Sequence, residues 1–307
     1  MSNAQTKFDP AAYEGVRYEK ITPEIVNIVM ARPEVRNAQN MAMTYALNHA
    51  FNRAAHDDEV RVILLSGEGP HFSTGHDMGG DRGMTWRDFD TVGTWDGFDG
   101  KGVEPLYGRE KEIYFDMCER WRNIPKPTIA VVQGSCIAGG LMLAWACDMI
   151  VAAENARFRD PTLEFGVSGV EFFMHPWEIG VRKAKEWLLT SDWLTAQEAC
   201  ALGMVNRVAP EASLLDEAIA MAQKITKKST FAVKAAKEAV NHAQDVMGRR
   251  NAMMHAFGLH HLSHNHNKLQ WGTLFDVSGV HPTVRERVNT RFNLPSQGEK
   301  GNPDKRS

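Results

Sequence analysis

The stretch Pro127–Asp148 has the sequence PTIAVVQGSCIAGGLMLAWACD and carries the clearest structural signal in the chain. Its first part, residues 128–132, is an apolar run rich in β-branched side chains, which is typical of a strand buried on both faces. Glycines then interrupt the run, and the apolar residues 141–146 that follow have the composition of a buried helix. We therefore predict a core strand, a glycine-rich turn and a helix.

The predicted turn offers a place for negative charge. The N–H groups in the first turn of a helix have no partner within the helix, and the helix dipole strengthens their attraction for an anion. Gly139 and Gly140 have no side chain, so a ligand oxygen can approach their backbone closely. A simpler alternative is that the two glycines only let the helix pack closely on the strand. This stretch alone does not decide between a ligand site and a packing contact.

Composition excludes several classes of function. The chain of 307 residues is 43% apolar and 24% charged, as globular proteins are. A formal net charge of −3 gives no broad basic field for nucleic acid or a membrane surface. No apolar run is long enough to cross a bilayer and no leader-like segment is evident, so we expect a cytoplasmic protein. The few cysteines are predicted to be reduced, buried thiols: Cys118, Cys136, Cys147 and Cys200.

The order of the predicted elements indicates the fold class. Strand-like and helix-like segments alternate up to about residue 210, and helical periodicity then continues almost without a break. This order predicts an α/β fold with a terminal helical layer. We expect a flexible arm at 1–15, a core at 16–210, a helical region at 211–294 and a disordered tail at 295–307. The irregular, aromatic-rich segment 79–108 is interpreted as a lid or a substrate-pocket wall rather than an oligomer contact.

Four groups of motifs, in this order, resemble the enoyl-CoA hydratase/isomerase (crotonase) family. They are RPE at 32–34 with NA at 37–38, FSTGHDM at 72–78, KPTIA at 126–130 with the glycine turn before CD at 147–148, and LTAQEA at 194–199 with GMVN at 203–206. The resemblance runs from about Tyr18 to the C-terminal helices. It implies a crotonase-like spiral of β-β-α units, with C-terminal helices that build homotrimers, often paired into hexamers.

The resemblance also implies a binding chemistry. Members of the family bind acyl-CoA thioesters and stabilise the thioester enolate with two backbone N–H groups, which correspond here to those of His76 and Gly139. Contacts to the substrate or its CoA part are expected from Arg36, Thr74, Asp77 and Gly140. CoA arrives as part of the substrate, so no separate cofactor is expected.

This chain departs from the family at the residues that carry out hydration. Family hydratases hold a water between two glutamates, and the corresponding positions here are Met142 and Thr162. A thioether cannot transfer a proton, and a threonine hydroxyl is a poor base near neutral pH. Isomerases and some other members place a carboxylate slightly later, which makes Glu171 the leading acid/base candidate. Lesser candidates are Asp160, Glu164 and His175.

Two possibilities for the activity remain open at the level of sequence. The chain is either an enzyme that isomerises or unusually hydrates an enoyl-CoA, or an acyl-CoA-binding protein without chemistry. A serine hydrolase acting through Ser135 is disfavoured because no GxSxG motif is present. His260 and His264 have the i, i+4 spacing of metal ligands, but no HExxH motif accompanies them. We therefore predict no metal site and expect these histidines on a polar helix face at a subunit contact.

Overall fold

The structure is a computed structural model that describes residues 7–78, 84–95, 98–280, 282 and 285–286. The predicted disordered tail at 295–307 lies outside the described residues. So do the first six residues of the predicted arm, and residues 79–83 and 96–97 of the predicted lid or pocket wall.

A six-stranded sheet forms the centre of the fold, with the strand order β1-β2-β3-β4-β6-β9. Strands β1 and β2 pair antiparallel, and all the other neighbours in this sheet pair in parallel. The predicted core strand is β4, in the middle of the sheet. The bounds are β1 Val16–Thr22, β2 Ile25–Met30, β3 Val62–Gly67, β4 Thr128–Val132, β6 Met149–Ala153 and β9 Arg207–Ala209.

A smaller sheet stands beside the central one, with the strand order β5-β7-β8. Its strands are β5 Ser135–Ile137, β7 Arg157–Arg159 and β8 Leu194–Thr195. Strand β5 lies inside the stretch that we predicted to be a turn. Gly134, at φ +56°, lies in the turn between β4 and this second short strand, which precedes the helix.

Ten helices surround the sheets within the described ranges. They are α1 Met41–His56, α2 Glu104–Glu110, α3 Met117–Arg122, α4 Gly139–Trp145, α5 His175–Ile179, α6 Val181–Thr190, α7 Ala196–Ala201, α8 Leu214–Thr226, α9 Thr230–Val246 and α10 Arg249–Trp271. A π-helical stretch, Lys111–Asp116, joins α2 to α3. A capping box begins α7, where Thr195 and Glu198 exchange side-chain to backbone hydrogen bonds.

Both faces of the central sheet are buried at β4, as its apolar run predicts. Ile129 and Val131 point to a cluster closed by apolar residues of α8. Ala130 and Val132 point to the larger cluster, which includes apolar residues of α1, α3 and α4. The α/β class with a helical layer is confirmed, and α8 of that layer contributes directly to the sheet core.

The last two helices differ in how they join the core. No residue of α9 is buried in the chain, whereas α10 inserts Met253 and Phe257 into the larger cluster. Arg249 at the start of α10 is fully buried and donates to both carboxylate oxygens of Glu119. Large apolar side chains on these helices remain exposed: Phe231, Val240, Val246, Leu262 and Leu269. In the described part of the chain, no helix is both long and apolar enough to cross a membrane.

Candidate active site

Two turns lie side by side beyond the carboxyl ends of the neighbouring strands β3 and β4. The Phe72 N–H donates to the Gln133 carbonyl at 2.9 Å, and the Ile137 N–H donates to the Ser73 carbonyl at 3.0 Å. Beyond these bonds Gly75, at φ +91°, approaches Gly139 so closely that a Cβ on Gly75 would lie 3.2 Å from the Gly139 nitrogen. The backbones of His76 and Gly139 therefore belong to adjacent segments.

The first turn of α4 begins from an unusual conformation. Ala138 has φ +47° and ψ −112°, a region that residues with a Cβ adopt only when the surrounding structure holds them there. Among the described residues, no acceptor takes the backbone N–H of His76 or that of Gly139. The two N–H groups that the family resemblance selects therefore have no hydrogen-bond partner within the described part of the chain.

A cavity of about 530 Å³ opens beside these turns. Of the predicted site residues, Thr74, His76, Asp77 and Glu171 line it. Gly139 is buried at the edge of the cavity. A Cβ added to Gly139 would lie 2.6 Å from the His76 ring. Gly140 instead faces the Ser73 carbonyl. A Cβ added to Gly140 would lie 2.5 Å from that oxygen.

The predicted CoA-contacting charges occupy different positions. Asp77 is nearly buried and pairs with Arg32 at 2.9 Å. Arg36 lies in an exposed turn outside the lining of the cavity. A role for Arg36 in binding CoA phosphates stays a prediction.

Glu171 is the carboxylate nearest to the His76 ring. Its side chain is buried, and its Oε1 lies 3.7 Å from His76 Nδ1 and 3.7 Å from His260 Nε2. Its Oε2 is buried without a hydrogen-bond partner among the described residues. The neighbouring Phe172 N–H donates to the sulfur of Met142 at 3.4 Å. Met142, which the family resemblance places at the position of a hydratase glutamate, therefore contacts the backbone next to Glu171.

The lesser acid/base candidates are bound elsewhere and do not line the cavity. Asp160 and His175 are fully buried and lie 2.8 Å apart. Burial favours a raised pKa for Asp160, but the hydrogen bond and charge of His175 outweigh it and lower that pKa. Asp160 also accepts hydrogen bonds from Thr162 and from the Val170 N–H. Glu164 pairs with Arg159.

Sequence reasoning missed Glu110 and misplaced the histidines of α10. His260, His261 and His264 are buried, so the expected exposed polar face is wrong for these three residues. His260 and His264 line the cavity, together with Glu110. The i, i+4 spacing of the two histidines is the one sequence signal that points to this cluster, because Glu110 lies far away along the chain.

The charges in this cluster influence one another. Glu110 Oε2 lies 3.5 Å from His260 Nε2 and 3.3 Å from His261 Nε2. Burial favours a raised pKa for Glu110, but the hydrogen bond and charge of His260 lower it. Burial favours a lowered pKa for His260, but the charge of Glu171 and the contact with Glu110 raise it. The pKa of His261 falls to about 4, chiefly because of burial.

Replacing Gly139 with alanine tests the contact between the two turns. The new Cβ would lie 2.6 Å from Cδ2 and 2.8 Å from Nε2 of His76, so the imidazole must shift. Displacement of active-site groups by about 1 Å costs on the order of 10² in rate, and we expect turnover of the favoured substrate to fall by about 10- to 100-fold. Gly258→Ala in α10 is the control, since nothing lies within 4 Å of its Cβ. Equal turnover in both variants would contradict this expectation.

A second cavity, of about 790 Å³, lies between α9 and the core and does not include the two turns. Glu178 lines it and is half-buried. Burial raises the pKa of Glu178 from 4.5 to about 7, and the nearby charge of Arg122 only partly opposes this. We assign no ligand to this cavity, whose outer wall is the unburied helix α9.

The raised pKa of Glu178 predicts a pH-dependent effect on stability. A carboxyl whose pKa is higher in the folded state than in the unfolded state costs stability as pH rises from about 4.5 to about 7. Because Glu178 is only half-buried, we expect Glu178→Gln to raise the free energy of unfolding by roughly 1 to 2 kcal/mol at pH 8. The gain at pH 5 should be smaller. Urea unfolding at both pH values checks this, with exposed Glu186→Gln as control, and equal gains at both pH values would refute it.

Comparison with known proteins supplies the class of this chain. The enoyl-CoA hydratase/isomerase family profile matches residues 20–93 and 100–275. The chain therefore belongs to the enoyl-CoA hydratase/isomerase family, has the crotonase fold and is an enzyme of this type.

Individual relatives extend the match to nearly the whole chain. A putative enoyl-CoA hydratase, EchA13 of Mycobacterium tuberculosis, is 42% identical over 285 residues, covering 89% of this chain and 90% of the relative. The crystal structure of a probable enoyl-CoA hydratase from Mycobacterium thermoresistibile is 41% identical, with a TM-score of 0.77, and the match covers 85% of this chain and 99% of that one. An enoyl-CoA hydratase/isomerase from Xanthobacter autotrophicus Py2 is 29% identical, with a TM-score of 0.72 over 93% of this chain and 100% of that one.

Proposed function

We propose that this enzyme binds an enoyl-CoA thioester and moves its double bond, with Glu171 carrying the proton between two carbons of the acyl chain. The N–H groups of His76 and Gly139 donate to the thioester oxygen while negative charge develops there. The observation that carries the proposal is the buried Glu171 carboxylate, which lines the same cavity as His76 and has one oxygen without a hydrogen-bond partner among the described residues.

Isomerisation requires one base and one oxyanion site. The Glu171 carboxylate removes a proton from a carbon next to the double bond, and the electron pair moves into the thioester as an enolate. The protonated Glu171 carboxyl, whose proton can exchange with solvent, then gives a proton to a different carbon, so the carboxylate and the thioester are both regenerated. Each donor to the developing oxyanion is worth on the order of 10² to 10³ in rate. No water needs to be held between two carboxylates, which agrees with Met142 and Thr162 at the hydratase positions.

An unusual hydration is the second candidate. It is favoured by one observation, namely that a further buried carboxylate, Glu110, lines the same cavity as Glu171. Two carboxylates on opposite sides of a bound water are the chemical requirement for adding water across the double bond. In this chain the pair would come from residues other than those of the familiar hydratases.

A panel of enoyl-CoA thioesters separates these reactions and the binding-only alternative. Each thioester is incubated with the protein in D₂O, and the products are analysed for double-bond position, added water and incorporated deuterium. Isomerised product supports the proposal, and hydroxyacyl-CoA as the main product supports the second candidate. Tight binding of the thioesters with neither turnover nor deuterium exchange would leave a binding protein and refute both.

We also propose that the chain acts as a homotrimer or a pair of trimers in the cytoplasm. The exposed apolar side chains of α9 and α10 support the oligomer, since such surface in a water-soluble assembly is usually covered by a partner. Light scattering of the purified protein checks the assembly, and a monomer at micromolar concentration would contradict it.

A further inference from the structure

Three buried side chains in the cavity wall have the arrangement of a cation site. Glu110, His260 and His264 each offer one ligand atom, and these atoms all lie within 4.8 Å of one another. His260 Nε2 is 3.0 Å from His264 Nε2 and 3.5 Å from Glu110 Oε2. Ligands that bind a tetrahedral ion at about 2.1 Å lie about 3.4 Å from each other, so both separations suit a shared ion.

Backbone carbonyls orient both imidazoles. His260 Nδ1 lies 2.7 Å from the Gly169 carbonyl, and His264 Nδ1 lies 2.9 Å from the Leu274 carbonyl. A carbonyl can only accept, so Nδ1 carries the hydrogen in each ring and Nε2 carries the lone pair whenever the ring is neutral. The two lone pairs then face each other across 3.0 Å. A cation bound by both lone pairs, either a shared proton or a metal ion, would offset their mutual repulsion.

The charge of the surroundings favours a divalent ion over a single proton. Glu110 and Glu171 are both buried, and Glu171 Oε1 lies 3.7 Å from His260 Nε2. Arg109 also lines the cavity, but in the described part of the chain no ion pair joins it to either carboxylate. With one shared proton, the two glutamates and the imidazoles of His260 and His264 together keep a net charge of about −1. One divalent ion in place of the proton neutralises them.

We propose that Glu110, His260 and His264 bind one divalent transition-metal ion of the Zn²⁺ class in the wall of the cavity. Two imidazole nitrogens and one carboxylate oxygen are a donor set that Zn²⁺ takes with a fourth position open. The carbonyls on Nδ1 supply the outer-shell hydrogen bonds that metal-binding histidines usually make. All three side chains line the cavity, so an ion bound to them would lie in its wall. The proposal does not depend on the reaction proposed above.

Metal binding is measured directly on the full-length protein after treatment with a chelator. Equilibrium dialysis against ZnCl₂ is expected to give one equivalent per chain, saturating in the micromolar range or below. His264→Gln removes an imidazole ligand and Glu110→Gln replaces a charged carboxylate by a neutral, weaker amide ligand, while both keep a similar side-chain size. We expect each to weaken Zn²⁺ binding by at least the 10- to 100-fold that loss of an outer-shell partner costs.

The matched control is the double variant His255→Gln/His266→Gln, which removes two exposed histidines from the same helix. It should bind Zn²⁺ as the unaltered protein does. The proposal is overturned if the unaltered protein binds no stoichiometric Zn²⁺, if the control abolishes binding, or if both ligand variants bind as well as the unaltered protein.

A spectroscopic measurement on the unaltered protein covers the case in which the variants fail to fold. Co²⁺ in a four- or five-coordinate site of nitrogen and oxygen ligands absorbs visible light far more strongly than hexaaqua Co²⁺. One equivalent of Co²⁺ should therefore give the strong bands, and one equivalent of Zn²⁺ should remove them. The spectrum of aqueous Co²⁺ alone would mean that the two Nε2 atoms share a proton, and it would overturn the proposal.

Discussion

Replacing Glu171 with glutamine is expected to lower kcat for the favoured enoyl-CoA by about 10²- to 10⁴-fold, which is the usual contribution of a general acid–base group. Glutamine keeps the size of the side chain but cannot accept a proton from carbon. The proposed oxyanion donors are backbone groups of His76 and Gly139, so binding of the thioester should change much less than turnover. Steady-state kinetics on chelator-treated protein give both values.

The control and a second readout distinguish chemistry from structure. Glu164→Gln changes a carboxylate that pairs with Arg159 outside the cavity lining, and turnover should stay within about twofold of the original. Deuterium exchange at the substrate carbon should fall in parallel with kcat in the Glu171 variant. Unchanged turnover and exchange in Glu171→Gln would remove Glu171 from the mechanism and direct attention to Glu110.

Replacing Arg249 with methionine is expected to lower the free energy of unfolding by about 3 to 5 kcal/mol, because it leaves a buried charge without its partner. Arg249 is fully buried, and its second terminal nitrogen lies 2.9 Å from Glu119 Oε2. It also donates through Nε to Asp245 at 2.6 Å. Asp245 is one-third exposed and can regain water, but Glu119 is nearly enclosed. Chemical denaturation measures the loss.

The adjacent Arg250 provides the matched control, since it is exposed at the next position of the same helix. Arg250→Met should change the free energy of unfolding by no more than about 0.5 kcal/mol. The double variant Glu119→Leu/Arg249→Met should recover much of the loss, because no charge then remains buried without a partner. A similar loss in the double variant would show that packing, rather than the ion pair, stabilises this end of α10.

Features with a strong local pattern could be predicted from the sequence. The apolar run of β4 predicts burial on both faces. In the structure one face packs against the larger apolar cluster and the other against the cluster of α8. The spacing of apolar residues predicts α1, and Thr195 with Glu198 predicts the start of α7. Strand β5 escaped prediction because three residues carry too little pattern, and its pairing with β7 is made across the chain.

The site was predictable only where a backbone motif marks it. The resemblance of the two glycine-containing turns to motifs of the family points to His76 and Gly139, whose role stays a prediction. Burial of His260 and His264 could not be read from α10, because histidine-rich segments are ordinarily exposed. Their burial depends on Glu110 and on carbonyls of the Gly169 and Leu274 loops, which only the folded chain brings together.

The Asp160 carboxylate has a consequence for how Glu171 meets a substrate. It accepts hydrogen bonds from Thr162 at one end of the loop and from Val170 at the other, and His175 holds it in place. The loop that carries Glu171 is therefore closed within the folded chain, and the conformational entropy of ordering it is lost during folding. A substrate that enters does not have to order this loop, so more of its binding free energy is left for holding the acyl chain against the carboxylate.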